Sequence, residues 1–179
     1  MTDATDSAEE TAPAEAEPAP GPETFHGHPV TYSRGQRTVH VPAGDLRDLV
    51  LTLRDEGWLQ LIDITAVDYL GYDTPRDLPK GLGGERFELI VTLISHAEGK
   101  RLRLRVQLPA DEPVVDSLFS VHPGADALER EVFDMFGIRF NDHPDLTRIL
   151  MPEDWEGHPL RKDYPVGRIP VQFKGAPQQ

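Results

Sequence analysis

His122, His143 and His158 stand near Asp142, Asp145 and Asp154, side-chain types that zinc or non-haem iron would accept. Their spacing fits neither a helical HExxH arrangement nor a short His-x-His pair. Each of the three is followed directly by proline, so turn and cap hydrogen bonding explains them better than ligation. Ser95, Ser117 or Ser120 can be combined on paper with His and Asp into a hydrolytic triad, but none lies in a Gly-x-Ser-x-Gly elbow. Gly81-Leu82-Gly83-Gly84 lacks the Lys-Ser/Thr of a phosphate loop and leads into a strand, so it reads as a flexible connection. Glu129-Arg130-Glu131 followed by Asp134 is a charge cluster on a short helix. Arg130 and Asp134 are spaced for an i, i+4 pair worth about 0.3 kcal/mol if exposed. The cluster lies just before a long irregular stretch, where charges can set the register of a docked segment. Arg148, Arg161, Lys162 and Arg168 are placed to do similar work against acidic surfaces.

The elements that must position these groups follow from the rest of the chain. It has 179 residues, no cysteine and a net charge of −13. That length favours one folded domain. Without cysteine there is no disulfide, no thiolate-held iron–sulfur cluster and no Cys nucleophile. The acidic balance argues against general phosphate-backbone binding, and hence against nucleic acid as a partner. No apolar run is long enough to span a bilayer, and the first residues lack the basic and apolar regions of a secretory signal. Residues 1–24 hold seven Asp or Glu and no Lys or Arg among Ala, Pro, Ser and Thr, so the remaining chain carries −6. That composition predicts a disordered acidic tail, since it offers too little apolar surface to offset ordering entropy.

Residues 25–140 read as an α+β domain. Thr31–Val41 is a strand or hairpin turning at Gly35. Leu46, Leu49, Val50 and Leu53 form a helical stripe, with Asp45 as candidate N-cap and Gly57 as stop. Strands follow at 59–69 and 85–96, separated by a Pro/Gly loop. The second is apolar on both faces, as a central strand would be. From 101 to 108, Leu102, Leu104, Val106 and Leu108 alternate with Arg101, Arg103, Arg105 and Gln107, the pattern of a half-covered strand. The three arginines form a solvated sheet face or a site for an anion or acidic partner. Pro113–Phe119 reads as helical. Asp126 to Glu129 has capping-box spacing and opens a helix whose stripe is Leu128, Val132, Met135 and Phe136, ended by Gly137. The fold class is therefore α+β: a mixed or antiparallel sheet with helices on one face.

From 141 to 179 prolines recur at 144, 152, 159, 165 and 170, which excludes a long helix. Yet Leu146, Ile149, Leu150, Met151, Trp155, Leu160, Tyr164, Ile169 and Phe173 are large and apolar. Such residues on a segment without its own scaffold need a covering surface, so an extended irregular tail docked on a partner protein is expected.

The run Glu129-Arg130-Glu131-Val132-Phe133-Asp134-Met135-Phe136-Gly137-Ile138 continues through Phe140, His143-Pro144-Asp145-Leu146 and Arg148-Ile149-Leu150-Met151-Pro152. It ends in Asp154-Trp155-Glu156-Gly157-His158-Pro159-Leu160-Arg161-Lys162-Asp163-Tyr164-Pro165. This resembles the signature of the 30 kDa subunit of respiratory complex I, proton-pumping NADH:quinone oxidoreductase. The resemblance implies a structural subunit of the hydrophilic arm that holds no cofactor. FMN, iron–sulfur clusters and quinone would belong to partner subunits. Its implied neighbours are the 49 kDa-type subunit and nearby Fe–S subunits, on the cytoplasmic side of a bacterial membrane, attached only through the complex. Glu129, Arg130, Glu131, Asp134, Arg148, Trp155, His158, Arg161, Lys162, Asp163 and Tyr164 would then be interface residues, none of them catalytic. A similar subunit in an F420H2 dehydrogenase or energy-converting hydrogenase, and more remotely a standalone metal-dependent enzyme, are the alternatives.

Overall fold

A computed structural model describes residues 23–165. The expected disorder of the acidic tail falls almost wholly outside them, as do Arg168, Ile169 and Phe173. Strands β1 (Thr24–Phe25), β2 (His28–Ser33) and β3 (Gln36–His40) open the fold. β2 and β3 form the expected hairpin, and Arg34 and Gly35 take positive φ at its tip. A 3-10 turn leads into helix α1 (Leu46–Asp55), which buries Leu46, Leu49, Val50 and Leu53 as its stripe requires. Asp45 precedes this helix but makes no side-chain capping bond. Gly57, at φ 100, turns the chain after it. Strands β4 (Gln60–Asp68), β5 (Phe87–Ser95) and β6 (Lys100–Leu108) follow.

The six strands form one mixed sheet in the order β1-β2-β3-β6-β5-β4, antiparallel except where β3 meets β6. Alternation decides its faces. Leu89, Val91 and Leu93 of β5 and Leu102, Leu104 and Val106 of β6 are buried in one core with the stripe of α1. At roughly 25 cal/mol per Å² of apolar surface removed from water, this layer is the main source of stability.

The opposite face is more than a row of solvated arginines. Arg105 lies within 2.7 Å of Glu88 on β5, whose side chain is buried, and donates to the Asp77 carbonyl of the covering loop. Gln107 donates to the same Glu88 carboxylate. A buried carboxylate needs such donors to offset lost hydration, so this part of the face is internally occupied.

Residues 113–119 depart from the expected helix. Val114–Asp116 is a strand, β7, which pairs in parallel with β8 (Arg139–Asn141). Val114 and Val115 are β-branched, and Pro113 leaves its carbonyl to Arg139, so the pairing outweighs the short apolar stripe. Between them runs helix α2 (Ala125–Phe136), burying Val132, Met135 and Phe136 as expected. The capping box does not form. Glu129 turns instead to Ser117 and Leu118 of the preceding loop.

Candidate functional site

The signature residues gather around the C-terminal end of α2. A helix leaves its last carbonyls without intrahelical donors. Gly137, in the left-handed region at φ 74, returns its N–H to Phe133 O. The three following carbonyls are satisfied from the irregular segment 142–165. His158 Nδ1 lies 3.0 Å from Asp134 O, Leu160 N donates to Met135 O at 3.0 Å, and Arg161 Nε donates to Phe136 O at 2.5 Å. Arg148 and Arg161 also bring positive charge to the helix end, where the macrodipole favours it.

Asp134 is the centre of this arrangement. Its side chain is fully buried. Oδ2 accepts the successive N–H groups of Ile149, Leu150 and Met151 at 3.2, 2.8 and 2.8 Å. Oδ1 accepts from Arg148 at 2.5 Å, and the same guanidinium reaches Gly157 O. Consecutive N–H groups form an anion-binding nest, here filled by the chain's own carboxylate. Burial alone would raise the Asp134 pKa, but these donors outweigh it and hold it below the usual carboxylate value. Burial lowers the pKa of His158, and the Arg161 and Arg148 charges add to that effect, against the Asp134 carbonyl.

A second anchor lies at the end of β4. Asp68 is buried and takes Arg86 through both oxygens at 3.0 and 2.9 Å. It also accepts Lys162 N at 2.9 Å, while Arg86 reaches Asp163 at 2.9 Å. Despite burial, the hydrogen bonds from Arg86, Lys162 N and Leu70 N depress the Asp68 pKa. The segment 142–165 is thus a strap tied at both ends to its own domain.

The expectations for individual residues divide accordingly. Arg130 does not pair with Asp134; it binds Thr147 and the Arg148 carbonyl, with Asp126 at 3.9 Å. Glu129 and Asp134, expected to face a partner, have fully buried side chains engaged within the chain. Arg161 turns inward and stacks 5.2 Å over Phe87. Glu131, Lys162 and Asp163 are exposed, and Trp155 and Tyr164 are partly so. The exposed apolar side chains of the strap are Ile149, Leu150 and Leu160. Sequence reasoning does not single out Asp68 and Arg86. The available signal was a charge continuing the inward alternation Ile64, Ala66, Asp68. Among the described residues, no group of three His, Asp or Glu side chains is arranged to hold a metal ion.

Gly137 gives the first test of this geometry. A Cβ there would lie 2.6 Å from both the Arg161 guanidinium and His158 Nε2. Gly137→Ala adds a left-handed penalty of about 1–2 kcal/mol to that collision. Thermal unfolding should therefore fall by several degrees, with faster tryptic cleavage at Arg161.

Residues 39–169 match the family described as respiratory-chain NADH dehydrogenase, 30 Kd subunit. The chain belongs to that family. The NADH-quinone oxidoreductase C-subunit of Saccharopolyspora erythraea is 44% identical over 150 residues, 82% of this chain and 56% of that protein. The corresponding protein of Acidothermus cellulolyticus is 44% identical over 143 residues, 80% of this chain and 71% of that protein. The chain spans little more than half the length of several such relatives. Among solved structures, a trypsin-resistant fragment of Nqo5 superposes with TM-score 0.59 at 32% identity, over 67% of this chain and 90% of that one. A chain of an archaeal membrane-bound sulfane sulfur reductase shares the fold, with TM-score 0.64 and 23% identity, over 85% of this chain and 88% of that one. In this member of the 30 kDa family, the strap and its anchors at Asp134 and Asp68 all lie inside the matched range. No helix among the described residues is long and apolar enough to cross a membrane.

Proposed function

We propose that this chain is a cofactor-free structural subunit of the hydrophilic arm of NADH:quinone oxidoreductase. The match across residues 39–169 carries the reading. In it, FMN, the iron–sulfur clusters and quinone belong to other subunits, consistent with a sequence that has no cysteine. Electrons from NADH pass through those neighbours to quinone, coupled to proton translocation. Relatives named for NADH and quinone favour this donor over that of the related membrane complexes.

The strap supplies a docking surface. Its inner side is tied to α2 and the end of β4, while Ile149, Leu150 and Leu160 point outward at 41, 55 and 51% exposure. Apolar side chains held outward on a pre-ordered segment bind with less ordering cost than a free peptide. The 49 kDa-type subunit and adjacent Fe–S subunits are the partners proposed for this face, with Lys162, Trp155 and Tyr164 at its margin. In this reading the chain lies on the cytoplasmic side of the membrane, held there by the complex.

The test is native gel electrophoresis of gently solubilised membranes. The tagged full chain should migrate with a large NADH-oxidising assembly. Leu150→Asp combined with Leu160→Asp should deplete that band by tenfold or more, from about 1.4 kcal/mol or more of lost binding. Migration of the unaltered chain only as a small species would overturn the assignment. An undiminished complex in the double variant would remove the docking face.

A further inference from the structure

The strap begins directly after β8, at Asp142, which takes a left-handed φ of 59 and lies 3.3 Å from Arg47 of α1. The turn sends the next side chain, His143, inward. Its imidazole is fully buried, with the Phe119 ring centred 6.2 Å away. The two ring nitrogens meet different surroundings. Nδ1 accepts the Asp145 N–H at 3.1 Å. A nitrogen that accepts presents its lone pair, so the neutral ring carries its proton on Nε2. Nε2 has no hydrogen-bond partner among the described residues.

This buried donor faces two carboxylates of α2. Asp126 Oδ1 lies 3.6 Å away and Glu129 Oε2 3.9 Å, both too far for a direct hydrogen bond. Their i, i+3 spacing puts both on one side of the helix. Glu129 is also held by the loop after β7, where Ser117 Oγ and Leu118 N each donate to it at 2.6 Å. The Asp126 side chain is 38% exposed, so the site opens to solvent past it. A buried N–H without an acceptor costs about 1–3 kcal/mol.

We infer that one ordered water molecule bridges His143 Nε2, Asp126 and Glu129, and ties the start of the strap to α2. The donor set selects this ligand. A metal ion would need the lone pair that Nε2 has given to its proton, and an anion would meet two carboxylates. Water accepts from the Nε2–H and donates to both carboxylates, as waters at buried polar groups ordinarily do. It serves either form of Glu129, donating to the carboxylate or accepting from the acid. The strap thereby gains a third tie, ahead of those at Asp134 and Asp68, and the loop after β7, α2 and the strap are joined through Glu129. The tie is internal to the chain and does not depend on the assembly role of the strap.

Three measurements on the full-length chain test it. A crystal structure should show a water oxygen within about 3.2 Å of His143 Nε2 and of both carboxylates. A direct bond from Nε2 to either carboxylate, a metal ion at that point, or a water that misses any of the three groups overturns the inference. In solution at pH 8, long-range proton–nitrogen correlation should find His143 protonated at Nε2 and bare at Nδ1. The opposite tautomer overturns it, because Nε2 would then have no proton to give. His143→Phe keeps an aromatic ring of similar size and removes the donor, so its crystal structure should lack the water. A water retained there would be held by the carboxylates alone, which also overturns it.

Discussion

Asp134→Ala should unlock the strap while leaving the sheet folded. The wild-type carboxylate satisfies three successive backbone N–H groups and the Arg148 guanidinium in a fully buried position. Removing the carboxylate leaves a partly buried cation without its counter-charge and three partly buried N–H groups without an acceptor, at a cost of about 3–5 kcal/mol. Even the lower figure multiplies the population of the opened strap by roughly a hundred. Tryptic cleavage after Arg148 and Arg161 should accelerate accordingly, since opening precedes cutting. The β4–β6 amides should keep their protection, because their ladders do not involve Asp134. Asp134→Asn should be nearly as damaging, since an amide presents an N–H group to the donors it would have to accept. The depressed pKa has a pH consequence. Stability from Asp134 is present above its ordinary value of 3.8 and lost as pH falls through the lower folded-state value.

Glu129→Gln should change the pH dependence of stability in the opposite direction. Burial pushes the Glu129 pKa up to about 7, with Asp126 adding to the rise and the Ser117 and Leu118 hydrogen bonds opposing it. A folded-state value above the ordinary 4.5 means the protonated form is the one the fold prefers. Its contribution is complete below 4.5 and is lost as pH rises through about 7, a span of about 3 kcal/mol. Glutamine is uncharged, can accept from Leu118 N and can donate to Ser117 Oγ. The variant should match the parent near pH 4.5 and be more stable at pH 8. His143, 3.9 Å from the same carboxylate, and Asp126 are the other titratable groups facing it. Buried His40 and His122 and partly buried His158 have lowered pKa values, so their contributions run the other way, present above 6.5 and lost as pH falls. The difference between variant and parent removes these shared slopes. Parallel denaturation curves across pH 4.5–8 would refute the role given to Glu129.

The sheet is largely legible in the sequence because period-two alternation is a local signal. β6 shows it without interruption, β5 is legible as a run apolar on both faces, and the stripe of α1 is equally direct. β7 reads as a helix in the sequence because Val114, Val115, Leu118 and Phe119 fit one helical side and three residues are too few to show period-two alternation; the deciding partner, β8, lies far along the chain. The capping box fails for a similar reason. Asp126 and Glu129 have the correct spacing, but Ser117 and Leu118 arrive from outside the helix and offer Glu129 better donors.

At the candidate site, the signature identifies the family and the residues around the helix end, but spacing alone does not show which way they face. Arg130 and Asp134 are one turn apart on α2, yet each is matched to a group 14 or more positions later in the chain. The large apolar residues of the strap suggest a covering surface elsewhere. Much of that surface is the chain's own helix end, and Ile149, Leu150 and Leu160 stay exposed.

Residues 142–165 form a strap already built on this chain, with Asp134 and Asp68 as its anchors. Amide hydrogen exchange on the full-length protein, alone in solution, tests it most directly. Ile149, Leu150 and Met151, which donate to Asp134, with Leu160 and Lys162, which donate to Met135 O and Asp68, should exchange at least a hundredfold slower than an unstructured peptide, an opening cost of about 3 kcal/mol. Exchange of those five amides at the unstructured rate, with β5 and β6 protected, would contradict it.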